Sequence, residues 1–257
     1  MTAQNLSIHC SDVSFGFSPK ALILEDLNLF VRRGERVAVM GGSGSGKTTL
    51  LKLVAGFKGY RATSGSCLCT GRFAMVFQQP LLLDHMLVQE NILLPALIQK
   101  AHQPIDEVVR ILGLGKLLDR YPFQLSGGQQ RRVALARALS YPDAHGLIMD
   151  EPFTGLDEPL RDQILAELQV ALDKTGFTCL FSTHNPVEAA FLADRIVFIG
   201  GDVATIYAEH IVQLKRKDRS LFFDQPEFLN ELAIIRRYLS RDYHREIKGG
   251  TFLGASN

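Results

Sequence analysis

The run Arg36-Val37-Ala38-Val39-Met40-Gly41-Gly42-Ser43-Gly44-Ser45-Gly46-Lys47-Thr48 decides the fold. Arg36 to Met40 is a mostly apolar, β-branched stretch and predicts a buried strand. Gly41 to Thr48 fits the pattern G-x-x-x-x-G-K-[ST]. From Lys47 the chain turns helical, with Leu50, Leu51, Leu53 and Val54 apolar and Gly56 placed to end the helix. A Gly-rich loop between a strand and a helix is the setting in which this pattern cradles phosphate. Glycines let successive backbone N–H groups point into one concavity. The helix N-terminus adds partial positive charge. Lys47 is placed to reach the β- and γ-phosphates of a nucleotide, and the Thr48 hydroxyl to ligate Mg²⁺. Gly41, Gly42, Ser43, Gly44, Ser45, Gly46, Lys47, Thr48 and Thr49 are thus the candidate nucleotide-binding residues. The competing reading, a flexible Gly/Ser loop, leaves the flanking strand and helix unexplained.

Working outward, Leu6 to Val13 and Leu22 to Val31 predict strands, and a turn follows at Arg33-Gly34-Glu35. Ser66 to Thr70 and Phe73 to Phe77 predict two more. Beyond Pro80 the pattern is helical: Leu87 to Lys100, Ile105 to Leu112 and Gln129 to Ser140. This block, about residues 81–140, reads as an inserted helical lobe. Strands then return at Leu147 to Met149, Thr178 to Ser182 and Arg195 to Ile199. Between them run a helix with Leu160, Ile164, Leu165, Leu168 and Leu172 on one face, and a second from Pro186 to Ala193. Asp157 is placed to cap the first of these. Alternating strands and helices imply an α/β fold with a mostly parallel sheet covered on both faces. The expected division is a cassette over 1–210 and a short C-terminal tail over 211–257, with a helix from Pro226 to Leu239.

Composition excludes several classes. Of 257 residues, 46% are hydrophobic and 21% charged, enough for a sizeable core. Lys plus Arg number 28 and Asp plus Glu 27, so no basic footprint marks nucleic acid as a ligand. The uncharged stretch Phe73 to Leu83 falls well short of the roughly 20 residues of a membrane-spanning helix. Met1 to Ser11 lacks the basic-then-apolar pattern of a secretory signal. Cys10, Cys67, Cys69 and Cys179 are too scattered for a disulfide framework and match no zinc spacing. A soluble, intracellular protein is expected.

Two further motifs carry chemistry. In Leu147-Ile148-Met149-Asp150-Glu151, an acidic residue ends a buried strand, where Asp150 can hold Mg²⁺ and Glu151 can orient or deprotonate an attacking water. Leu125-Ser126-Gly127-Gly128-Gln129 is a second Gly-rich helix N-terminus. One nucleotide needs one phosphate cradle, so a second suggests another copy of the chain facing the first across the nucleotide. An ordinary N-cap at Ser126 is the alternative.

With these three elements in this order, the sequence resembles the ATP-binding subunit of ABC transporters over about residues 6–210. The resemblance implies a P-loop NTPase core, an N-terminal antiparallel β-region, and ATP and Mg²⁺ as cofactors. It puts Phe17 on the adenine ring, with Phe15 the runner-up. Gln78 then touches Mg²⁺ and the water, while Gln79 is a solvent or interface residue. Asp157 crosses the dimer, and His184 in Ser182-Thr183-His184 holds the γ-phosphate and the water. Ser126, Gly127, Gly128 and Gln129 contact the ATP held by the partner copy.

The resemblance also implies partners: a second ATPase subunit, transmembrane permease subunits and, indirectly, a substrate-binding protein, with no nucleic acid. The expected place is the peripheral cytoplasmic face of the membrane. Leu81, Leu82, Leu83, Met86 and Leu87 read as a permease-docking surface or, equally, as lobe core. Tyr121-Pro122-Phe123-Gln124, Met149 to Phe153 and Glu188 to Arg195 resemble importers of nitrate, sulfonate and taurine. A lipoprotein-release or export-type complex, or a soluble ATPase without permease, is the alternative. Three features depart from the family pattern: a short Lys47–Gln78 stretch, Asn185 in place of Asp after His184, and Thr154 to Asp157 without the small Ala. The basic run Lys215-Arg216-Lys217-Asp218-Arg219 reads as a solvated face.

Overall fold

The computed structural model describes residues 5–18, 21–216 and 225–240. Lys217 to Arg219 of the basic run lie outside the described residues, as does the tail beyond 240.

The stretch Arg36–Met40 forms β3, and every residue in it is buried. It sits inside a six-stranded sheet. Its neighbours are β7 (Thr178–Thr183) and β8 (Arg195–Gly200), both parallel to it. Beyond β7 come β6 (Ala144–Asp150) and β5 (Arg72–Val76), also parallel. The other edge is β9 (Thr205–Ile211), antiparallel to β8.

Period-2 alternation along β3 divides the core. Val37 and Val39 join Ile148, Leu180 and Val197 on one face, against α1 (Lys47–Val54). Ala38 and Met40 join the other face, against helices α4 (Gly127–Leu139), α5 (Glu158–Thr175) and α6 (Pro186–Leu192). A strand buried on both sides needs apolar residues at successive positions, which is what the sequence supplies. Each fully buried Val or Leu contributes about 1.5–3 kcal/mol.

A separate three-stranded antiparallel sheet packs on the first face. Its order is β2 (Ala21–Arg32), β1 (Leu6–Ser18) and β4 (Ser64–Cys69). β1 runs five residues past its expected end at Val13, because register shifts between Cys10 and Ser18 break the alternation that marks a strand. Cys10 and Cys67 are cross-strand partners in this sheet and are joined by a disulfide. Sequence reading expects no disulfide framework; the single bridge closes a separation of 57 residues that only strand pairing brings together.

Between β5 and β6 lie α2 (Val88–Gln99), α3 (Asp106–Ile111) and α4. The apolar stripe before them divides. Leu82 packs against the core, whereas Leu81 is exposed. Helix α7 (Pro226–Leu239) covers α6, burying Phe228, Leu232 and Ile235. Among the described residues no helix is long and apolar enough to cross a membrane.

Candidate functional site

Parallel strands put all their C-terminal ends on one edge, where ligand sites of open α/β sheets form. Here β6, β7 and β3 are adjacent and end in register: Met40 lies beside Thr183, and Asp150 beside Ser182. The loop after β3, the acids ending β6 and the turn after β7 therefore meet.

Two glycines are required by that loop. A Cβ on Gly41 would lie 2.3 Å from the Ile199 carbonyl oxygen, and Gly46 takes φ +83° with Leu24 at 2.9 Å from where a Cβ would go. Gly42 and Gly44 open onto free space. The loop walls a cleft of about 520 Å³, lined by Ser43 to Thr49 together with Ile23, Gln78 and Glu151.

Lys47 is 6% exposed and donates from Nζ to the carbonyls of Gly41 (3.0 Å) and Gly42 (2.9 Å). Burial lowers its pKa below the usual 10.5, against the opposing pull of Glu151 and Asp150. The Thr48 hydroxyl donates to both Asp150 carboxylate oxygens, at 2.8 and 3.0 Å. Ser182 Oγ donates to Asp150 Oδ1 at 2.7 Å and accepts the Glu151 N–H at 2.9 Å. Glu151 has φ +42°, an uncommon region for a residue with a side chain. Its carboxylate lies 3.8 Å from Lys47 Nζ and 3.5 Å from His184 Nδ1, and it accepts the Thr154 hydroxyl at 3.0 Å. His184 itself is 62% exposed.

The turn carrying His184 is pinned from below. Asn185 N–H donates to Thr183 Oγ1, whose hydroxyl donates to the buried carboxyl of Glu188. Asn185, the departure noted above, caps α6 by accepting the Val187 N–H at 2.9 Å. The substitution therefore keeps a capping residue type.

Thr48 and Asp150 offer a hydroxyl and a carboxylate side by side, a hard-oxygen set suited to Mg²⁺. Among the described residues no three His, Cys, Asp or Glu side chains form a cage of their own. Mg²⁺ commonly takes the rest of its shell from phosphates and water. Ser45 Oγ is buried without a hydrogen-bond partner, an acceptor and donor left over in the loop itself. Loop and donor set fit a nucleotide with its cation.

Other expected residues lie apart from this wall. Phe17 lies one residue before the end of β1, is 69% exposed and does not line the cleft. Ser126 caps α4, accepting the Gln129 N–H while Gln129 Oε1 accepts the Ser126 N–H. Gly128 packs on Leu160, with 2.4 Å between that side chain and the place of a Cβ. Asp157 caps α5 through the Leu160 N–H at 3.0 Å. Ser126, Gly127 and Asp157 face solvent.

Sequence reading missed Ser182 and Arg131. Arg131 is 5% exposed and donates to the carbonyls of Phe77 and Gln78, so α4 holds the backbone that carries Gln78. Arg137 does the same for Pro80 and Leu81. An arginine following a capping motif carried no local signal for a partner so far back in sequence.

The family model for ABC transporters matches residues 24–154. A spermidine/putrescine import ATP-binding protein of Thermotoga maritima is 34% identical over 201 residues, covering 72% of this chain and 54% of that protein. A sulfate/thiosulfate import ATP-binding protein of Rhizobium meliloti is 40% identical over 195 residues, covering 68% and 52%. The chain spans about half the length of these curated relatives. Among solved structures, a dimeric ATP-binding cassette in a post-hydrolysis state, bound to ADP and Pi, is 27% identical with a TM-score of 0.67, covering 81% of this chain and 100% of that one. The shared architecture is an α/β P-loop NTPase fold with an antiparallel β-region and helical elements.

Proposed function

The chain belongs to the ABC transporter family, and from that premise we propose that it is the ATP-hydrolysing motor subunit of an importer. One observation carries the reading. A phosphate cradle, an Mg²⁺-type oxygen pair and a carboxylate–histidine pair share one sheet edge, while a second Gly-rich helix N-terminus stands exposed outside that cleft.

Each residue then has a task. The amides of Gly41 to Thr48 and the Lys47 ammonium hold the phosphates of ATP. Lys47 leaves the Gly41 and Gly42 carbonyls to do so. Thr48 and Asp150, with Gln78, hold Mg²⁺, which when bound neutralises charge on the phosphate oxygens. Glu151 orients the water and accepts its proton. Lys47 and His184, at 3.8 and 3.5 Å, flank its carboxylate and keep it aimed. His184 steadies the water and the γ-phosphate. Phe17 stacks on adenine. Ser126 to Gln129 and Asp157 belong to the site of a partner copy, so two chains enclose two ATP molecules and separate after hydrolysis.

Residues 1–210 form the cassette in this reading, 81–140 its lobe and 211–257 a tail. Permease subunits hold the chain at the cytoplasmic face of the membrane, with Leu81 and its neighbours as the contact and a substrate-binding protein beyond. The relatives' names span a polyamine and an inorganic anion. Tyr121 to Gln124, Met149 to Phe153 and Glu188 to Arg195 favour a small nutrient such as nitrate, sulfonate or taurine.

Glu151→Gln is the decisive variant. Turnover should fall at least about 100-fold while ATP binding persists. Turnover at the wild-type rate would remove Glu151 from the chemistry.

A further inference from the structure

Phe17 does not stand alone at the end of β1. Its ring meets Phe15 edge-on, with centroids 5.2 Å apart at 78°, and meets Tyr60 in the same manner at 5.7 Å and 76°. Tyr60 and Phe15 stack on each other at 5.4 Å and 15°. These two rings form a near-parallel stack, and Phe17 stands roughly perpendicular to both. Phe15 is 2% exposed and forms part of the core, which restricts its ring. Tyr60 is half-buried and comes from the short segment between α1 and β4, the stretch in which this chain departs from the family pattern.

That segment is tied to the nucleotide cleft from two sides. Lys52 of α1, the helix opened by the phosphate loop, places its ammonium 5.4 Å from the centre of the Tyr60 ring. Phe57 meets Phe77, the residue before Gln78, edge-on at 5.7 Å. Tyr60 and Phe57 are joined by a turn, with Tyr60 N–H donating to the Phe57 carbonyl at 2.9 Å.

We propose that Tyr60 is a positioning residue for nucleotide recognition: it fixes the ring of Phe17 in the orientation that receives the purine base. The inference rests on the reading of Phe17 as the adenine platform. An exposed phenylalanine at a strand end rotates freely about its side-chain bonds, and ordering it on binding costs affinity. A ring held beforehand at a fixed angle avoids that cost. Edge-to-face pairing supplies the holding force, and the Lys52 ammonium over Tyr60 secures the brace to the phosphate-binding helix. The hydroxyl of Tyr60 takes no part in the geometry.

The test compares ATP with tripolyphosphate, which keeps the phosphates and lacks the base, by titration calorimetry in Mg²⁺. Tyr60→Leu should weaken ATP binding roughly three- to tenfold and leave tripolyphosphate binding unchanged. Tyr60→Phe should match the wild type with both probes. Phe17→Leu should also lose ATP affinity, and adding Tyr60→Leu to it should cost nothing more, since the two act through one contact. Should Tyr60→Leu fail to fold, seen as loss of tripolyphosphate binding and of the thermal transition, Tyr60→Met makes the same comparison. If Phe17→Leu weakens ATP but the Tyr60 variants do not, the brace is overturned and the platform stands. If the Tyr60 variants weaken both probes equally, Tyr60 serves packing alone. If Phe17→Leu leaves ATP binding unchanged, the platform reading itself fails.

Discussion

The carboxyl of Glu188 lies buried beneath the turn that carries His184 and accepts the Thr183 hydroxyl. Burial pushes its pKa above the usual 4.5, against the downward pull of Thr183, Arg161 and His184. The native state keeps this proton at a pH where the unfolded chain has lost it. Stability therefore declines as pH rises from about 4.5 through the higher native value. Glu188→Gln preserves shape and removes the titration, so calorimetric melting temperatures should decline less steeply over that interval; parallel curves would refute the assignment. Ser182 offers a second check. Ser182→Ala strands the Glu151 N–H and should cost about 1–3 kcal/mol in urea denaturation. Lys47, Thr48, Asp150, Glu151 and His184 could be picked out from sequence because each sits at a fixed offset from a strand end. Ser182 could not, because its role depends on which strand lies beside β6.

Among the elements, β3 was legible as an unbroken apolar run from Val37, and α1 and α5 because their apolar residues repeat at the helical period. β9 was not: it is an antiparallel edge strand with most positions half-exposed, so no apolar run marks it. The end of β1 was hidden by Gly16, whose missing Cβ leaves room for the Ala21 carbonyl only 2.3 Å from that position. Helix α4 carries more than its own packing. Arg131 joins it to the segment through Gln78, and its guanidinium cannot be replaced by an apolar chain without leaving two carbonyls unmet. Arg131→Met should lower stability by about 2–4 kcal/mol. A variant as stable as the wild type in denaturant would show those carbonyls finding water instead.

For the molecule as a whole, the exposed Ser126 and Asp157 predict how copies meet. In the Glu151→Gln background, light scattering should show the mass doubling on addition of ATP with Mg²⁺. Ser126→Arg in that background should keep the chain monomeric while it still binds ATP, if Ser126 serves the other copy's nucleotide as proposed. Loss of ATP binding by the monomer would instead put Ser126 in its own chain's site. The two-sided core matters here. The cluster under the antiparallel sheet holds the phosphate loop through Leu50 and Leu51, whereas α4 and α5, which carry Ser126 and Asp157, pack on the opposite face.

Arg131 and Arg137 grip the stretch from Phe77 to Leu81 by its carbonyls alone. Carbonyls are common to every amino acid, so these four bonds make no demand on the side chains beside them. Gln79 can thus be exchanged without loosening that grip, whereas Leu81, at φ +46°, is limited to residues that accept the left-handed region. If the proposed permease contact lies here, a lineage could acquire a new docking preference by substitution at the surface while the four carbonyl bonds persist.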